Sequence, residues 1–420
     1  MSLMADLLST LFERRYAAAE TRDDRPMRQL AQDLLTSRGE VSGMALARQI
    51  LDRYAARTDD RKRSFFEYLG RELDIDADAM RSALEAYGAD PSKRNYGRLM
   101  AASEPRRQEL ARRLNQVPGA TGRLVEMRAD LLRLAGDDPA LARVESDLRH
   151  LFASWFNRGF LVLRPINWES PAHILDKIIA YEAVHAIHSW DDLRRRLRPA
   201  DRRCFGFFHP VMPDEPLIFV QVALTRGIPG SIQGLLAEER PELKPGEADT
   251  AVFYSISNCQ AGLAGISFGN SLIKQVVEDL SRELPQLKSF VTLSPIPGLM
   301  RWVESEGLGD RAGSPETLRL LAAHYLINAK RREEKPLDPV ARFHLNNGAF
   351  IHNIHPMGDL SPNGLTQSGG AMVNYLYDLK RISKNHEDFA NNNKVVAAKE
   401  ILNLARAPLP APQLRTGTDA

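Results

Sequence analysis

The change of texture at Arg158-Gly159 constrains this chain more than any other feature of its sequence. From about Ala5 to Trp155 the residues are mostly Leu, Ala, Arg, Asp and Glu, with few β-branched clusters. Apolar positions recur there at spacings of three and four, as in Leu46, Ile50, Leu51 and Tyr54, or Val125, Leu131, Leu132 and Leu134. That spacing lines one face of a helix. Pro118-Gly119 and Gly136-Asp137-Asp138-Pro139 punctuate the segments. An aspartate just before Pro139 marks a helix start, because it caps free N–H groups and proline has none to lose. No repeat of fixed length is visible, which argues against a solenoid.

After Gly159 short apolar runs take over: Phe160–Leu163, Cys204–Phe208, Leu217–Leu224, Thr250–Ile256 and Ser289–Leu293. Helical patterns lie between and after them, over Ala172–Tyr181, Trp190–Leu197, Ser271–Leu284 and from Pro315 onward. The expected class is α+β, with an all-α helical bundle over residues 1–157 and a mixed α/β domain over residues 158–420. The polar stretch Asn346–Gly370 reads as binding loops, and the end of the chain, with prolines from Pro408, as frayed.

Composition narrows the function. The chain has 420 residues, enough for two or three domains of roughly 150 each. Lys and Arg number 56 against 54 Asp and Glu, so the formal charge of +2 gives no electrostatic case for a nucleic-acid binder. Cys204 and Cys259 are too few for a disulfide framework or a four-thiolate zinc site. No apolar run reaches the roughly 18–20 residues of a membrane span. Charged residues enter MSLMADLLSTLFERRY too early for a secretory leader, and a cytoplasmic protein is expected.

Three segments carry the residue types that do chemistry. In the first, the strand candidate TAVFYSI runs into Gln260, Gly262, Gly265, Ser267, Gly269 and Asn270, and then into a helix. Free N–H groups and the positive end of the dipole make such a helix start an anion site. The spacing is neither that of a P-loop nor GxGxxG, which removes support for ATP and NAD. The plain alternative is a tight strand–helix connection with no ligand. Gly265 to Gly269 also fits G-x-S-x-G, the nucleophile elbow of a serine hydrolase. In the second segment, Ser294 ends a strand and is followed by Pro-Ile-Pro-Gly298, which stiffens the exit. The third holds Arg342-Phe-His344-Leu-Asn-Asn-Gly348, His352, His355 and Asn374-Tyr-Leu-Tyr377. The i,i+3 pairs His185/His188 and His352/His355 lack a third ligand at fixed spacing, so no metal site is expected.

These segments together resemble malonyl-CoA decarboxylase: YEAVHAIHSWDDLRRRL, RRCFGFF, EPLIFVQVALT, FYSIS, QAGLAGISFG, LSPIPG and FHLNNGA follow one another in that family's order from about Leu161 to Tyr377. The resemblance implies an N-terminal helical domain used in assembly. It also implies a GNAT-like, acetyltransferase-type catalytic domain and an oligomer of two or four chains. Position by position, it makes Ser294 and His344 catalytic and puts Tyr377 in the pocket. It assigns coenzyme A to the glycine-rich loop, where animal members carry a glutamate in place of Ser267.

The implied reaction converts malonyl-CoA to acetyl-CoA and CO2, a carboxy-lyase step of fatty acid metabolism. The thioester itself accepts the electron pair as an enolate, so no cofactor or metal is expected, coenzyme A being part of the substrate. Ser294 and His344 are expected to share a hydrogen bond and grip the malonyl carboxylate, and Tyr377 to orient one of them. His344, or a water it holds, then protonates the product carbon. The alternatives are a GNAT-type acyl-CoA acyltransferase and a hydrolase acting through Ser267. The expected partners are the substrate and other copies of the chain, with neither nucleic acid nor membrane.

Overall fold

The computed structural model describes residues 24–37, 39–266, 272–332 and 334–409. The chain divides into two compact units. One runs to Asn157 and takes in Gln260–Ser267; the other comprises Arg158–Cys259 and the chain from Phe268 onward.

The first unit is helical throughout its described residues. Its helices are α1 (Met27–Thr36), α2 (Glu40–Ala55), α3 (Asp59–Arg71), α4 (Ala77–Ala89), α5 (Lys93–Ala102), α6 (Arg106–Leu114), α7 (Ala120–Leu134) and α8 (Pro139–Trp155). The breakers act where the sequence places them. Asp138 caps α8 by accepting from Ala140 N at 2.8 Å, and Pro139 fills the first helical position. Gly119, at φ +75°, precedes α7. Ile50, Leu51, Tyr54, Val125 and Leu131 are buried on the faces their spacing implies. Leu132 is 40% exposed and lies off that stripe.

The second unit is built on an eight-stranded mixed sheet of order β1-β2-β3-β4-β5-β8-β6, with β7 paired to β8. The strands are β1 (Val162–Ile166), β2 (Arg202–His209), β3 (Met212–Thr225), β4 (Thr250–Asn258), β5 (Ser289–Thr292), β6 (Ser294–Pro295), β7 (Phe350–His355) and β8 (Met372–Leu376). β1 to β4 form an antiparallel run. β4 and β5 are parallel, but only from Thr250/Ser289 to Phe253/Thr292. Beyond Phe253, β4 continues to Asn258 beside β3 alone, with no strand on its other side among the described residues. The sheet therefore opens between β4 and the arm that holds β6 and β8. A helical unit followed by a mixed α/β sheet domain is the fold class expected.

One expectation is corrected. Asn346–Gly370 is not loop throughout: it contains β7 and the helix Pro362–Ser368. Alternation of His and Asn with Ile hides the strand, whose buried residues are Ile351 and Ile354, displaced by a bulge. The expected fraying of the last ten residues lies outside the described ones.

Candidate active site

The centre of the site is where β5, β6 and β8 meet. Leu293 interrupts the strand direction between β5 and β6, and Ser294 pairs with Val373 of β8. Period-two alternation puts Thr292 and Ser294 on one side of the chain. Ser294 Oγ donates to Thr292 Oγ1 at 2.9 Å. His344 reaches the same hydroxyl from the helix Pro339–Asn346, its Nε2 lying 3.2 Å from Ser294 Oγ. The other ring nitrogen, Nδ1, lies 2.8 Å from the hydroxyl of Tyr377, the residue after β8. Ser294, His344 and Tyr377 come from three distant stretches of chain and form one line.

Hydrogen-bond direction follows from proton count. Ser294 has a single hydroxyl proton and gives it to Thr292. His344 Nε2–H therefore donates to Ser294 Oγ, and Nδ1 accepts from Tyr377. Burial keeps the imidazole neutral by pulling its pKa down to about 3. The same burial pushes the Tyr377 phenol well above its usual value, so it stays protonated and can donate. The ring is held on its face by Tyr375, stacked at 4.5 Å between centroids, and on its edge by Phe343 and Tyr377.

Further residues brace this line, and the sequence reading did not assign them. Thr292 Oγ1 also accepts from Tyr375 N at 3.1 Å, tying β5 to β8. Asn374 Nδ2 donates to Thr292 O at 2.8 Å, and its Oδ1 lies 2.5 Å from His355 Nε2. His355 is thereby a brace for Asn374. Asp338, wholly buried, accepts from Ala341 N at 2.7 Å and caps the helix that bears His344. The Thr-x-Ser spacing was the available signal for Thr292, and Asp-Pro before the FHLNNG segment the signal for the cap.

The glycine-rich segment divides. Ser267, Gly269 and Asn270 lie outside the described residues. Gln260, Gly262 and Gly265 belong to the helical unit. The 3₁₀ turn Ala261–Leu263 follows β4, and Leu263 N closes it onto Gln260 O at 2.9 Å. A Cβ at Gly262 would overlap the Val125 carbonyl of α7, so close packing alone accounts for glycine there. Arg128 donates to Gly262 O at 2.6 Å and to Ala264 O at 2.9 Å, and also pairs with Glu145. Gly265 sits at φ +74° with open space around it. The elbow reading fails on distance along the chain. β4 ends at Asn258, well before Ser267, whereas an elbow places its serine directly at the strand end.

Among the described residues no cluster of three or more His, Cys, Asp or Glu is placed to hold a metal ion. No described helix is long and apolar enough to cross a membrane. Cys204 and Cys259 are buried free thiols, both pushed up by burial and so poor nucleophiles.

Comparison with known proteins carries the reading further. The model of the malonyl-CoA decarboxylase C-terminal domain matches residues 159–314 and 310–414, and that of the N-terminal domain matches residues 73–156. A helical unit, a parted mixed sheet and these two matches define the class, an enzyme of the carboxy-lyase kind. Mitochondrial malonyl-CoA decarboxylase of Anser anser anser is 36% identical over 375 residues, 75% of this chain and 74% of its own. That of Mus musculus is 35% identical, covering 73% and 72%. Among solved structures, malonyl-CoA decarboxylase from Rhodopseudomonas palustris is 48% identical with a TM-score of 0.86, covering 90% of this chain and 98% of that one. The enzyme from Agrobacterium vitis is 48% identical with a TM-score of 0.85, covering 91% and 100%. This chain belongs to the malonyl-CoA decarboxylase family.

Proposed function

We propose that this carboxy-lyase converts malonyl-CoA to acetyl-CoA and CO2 at Ser294, His344 and Tyr377, without a metal or an added cofactor. The observation that carries the reading is the buried line Thr292–Ser294–His344–Tyr377, with a neutral imidazole at its centre. As CO2 leaves, the electron pair of the broken C–C bond moves into the thioester carbonyl. Charge then grows on the enolate oxygen. Hydrogen-bond donors aimed at that oxygen in a dry site are worth about 2.7–4 kcal/mol each by comparison with oxyanion holes.

Ser294 Oγ–H and His344 Nε2–H, given to Thr292 and to Ser294 within the protein, turn to the malonyl carboxylate when substrate binds and orient it before it departs. A neutral donor pair holds an anion more weakly than a cation would, so the ground state is not over-stabilised. The proton for the new methyl group passes through His344 Nε2 or a water on it, and solvent returns a proton to the ring before the next turnover. Neutral imidazole is a weak acid, but a thioester enolate is a far stronger base. Tyr377, hydrogen-bonded at Nδ1, fixes the tautomer that presents a proton at Nε2.

Coenzyme A is assigned, on the order of the sequence, to the segment Gln260–Asn270 before the helix Leu272–Glu283, and the unpaired half of β4 suits an amide-bearing arm. The support is the strand edge itself and the strand–glycine–helix order of the sequence. Gly262 is accounted for by packing, so Gln260, Gly265, Ser267, Gly269 and Asn270 carry this part. Self-association into a dimer or tetramer and a cytoplasmic location belong to the same proposal; light scattering and cell fractionation test them.

The deciding experiment incubates purified protein with malonyl-CoA alone and follows CO2 and acetyl-CoA. The expected result is one of each per substrate consumed. Conversion that requires an amine acceptor would establish an acyltransferase instead.

A further inference from the structure

The segment that begins at Ser294 ends in Gly298, and glycine is required there for a specific reason. A Cβ at Gly298 would overlap the hydroxyl of Tyr325, with the ring carbon that bears it close behind. Tyr325 comes from the helix Pro315–Ile327, is 2% exposed and lies against Trp302. Its hydroxyl approaches the carboxyl of Asp338, although Asp338 Oδ2 has no hydrogen-bond partner of ordinary geometry among the described residues. Asp338 caps the eight-residue helix whose last turn carries His344. Tyr375, stacked on the His344 ring, lies near enough to Asp338 to feel its charge, and its hydroxyl is likewise buried without a partner among the described residues.

We propose that Gly298, Tyr325 and Asp338 act as a spacer that sets the distance between Ser294 and His344, with Tyr325 and Asp338 as positioning residues. The inference rests on the proposed role of the Ser294–His344 pair.

The two partners of that pair are carried by stiff arms. Ser294 is followed by Pro295 and Pro297, each with φ fixed near −65°, so the position of Gly298 reports that of the serine. His344 lies six positions after Asp338, and a helix rises about 1.5 Å per residue. The capped helix is thus a rigid lever of roughly 9 Å. Tyr325 fills the gap between the arms: backbone at Gly298 on one side, the cap on the other. The bond at stake is already long, 3.2 Å between Nε2 and Oγ. A further displacement of about 1 Å would break it, and misplacement on that scale costs about a hundredfold in rate.

The test measures kcat and KM for malonyl-CoA well below the unfolding temperature of each variant, with His344→Asn run in parallel. Tyr325→Phe should lower kcat about 10- to 100-fold and leave KM within about twofold. Gly298→Ala should do the same by pushing the phenol aside. The double variant should match Tyr325→Phe alone, because the hydroxyl that the new methyl group strikes has gone. Asp338→Ala should lower kcat, and Asp338→Asn, which keeps the capping oxygen, should restore most of it.

A Tyr325→Phe protein with wild-type kcat, or losses that multiply in the double variant, would overturn the spacer. If Tyr325→Phe does not fold, the Asp338 pair decides alone: equal kcat for Ala and Asn rejects the proposal. Normal turnover in His344→Asn would instead remove the pair from the chemistry, and the spacer with it. An inactive His344→Asn beside an unaffected Tyr325→Phe rejects the spacer only.

Discussion

At the scale of single residues the site is governed by desolvation. Burial depresses His344. The sign follows directly. A folded-state pKa of about 3, below the ordinary 6.5, means that the unfolded chain binds the proton first. The stability that comes from keeping the ring neutral is present above pH 6.5 and drains away as pH falls from there toward 3. The ring should keep neutral-form nitrogen shifts from pH 7.5 down to pH 5 when followed by NMR with labelled histidine. Titration near 6.5 would contradict the burial. Ser294→Ala should lower kcat about 10²- to 10³-fold, with coenzyme affinity retained. His344→Asn should lower it about 10²- to 10⁴-fold. Tyr377→Phe removes only the tautomer lock, so its loss should be the smallest of the three. Steady-state kinetics together with acetyl-CoA binding by calorimetry separate these effects from loss of the site.

At the scale of elements, what was legible depended on how plainly a segment declared its period. Ala172–Tyr181 and Trp190–Leu197 are helices with the bounds expected from their apolar spacing, and β2 and β4 coincide with apolar runs. β7 and β8 were not legible as strands. They carry His, Asn and Tyr at positions that a core strand gives to Val or Ile, because their side chains brace the site. Thr292 was read only as part of a motif, since nothing local says that its hydroxyl meets both Ser294 and the backbone of β8. Ser294, His344 and Tyr377 came from family resemblance, and proximity across 50 and 33 residues is tertiary information. The loop after β4 shows the converse: glycine at 262 looked like room for a phosphate, and packing on Val125 explains it. Arg128→Leu tests that element. It leaves the buried Gly262 carbonyl without its donor, at a cost of about 1–3 kcal/mol, measured as a fall in the denaturation midpoint.

At the scale of the whole molecule, the helical unit presents a surface that its own core does not use. In the hairpin of α4 and α5 the one buried residue among those described is Ala83. Leu84, Tyr96 and Met100 are each more than half exposed. Such residues on adjoining helices suit association with a second copy, in keeping with the proposed dimer or tetramer. Replacing Leu84 and Met100 by glutamate should lower the mass measured by light scattering and leave helix content unchanged. An unaltered mass would move the contact to another face.

The half of β4 that runs on past Phe253 has a consequence for selectivity. A bare strand edge offers amide groups in a fixed rhythm, and it grips any amide-bearing arm laid along it without regard to what hangs from the end. On the proposed placement of coenzyme A, tightness of grip and choice of acyl group are supplied by separate parts of one protein. Replacements beside the proposed catalytic line, such as Phe253 against Tyr377 or Tyr375 against His344, should redirect the enzyme among short dicarboxylic thioesters while its hold on the carrier persists.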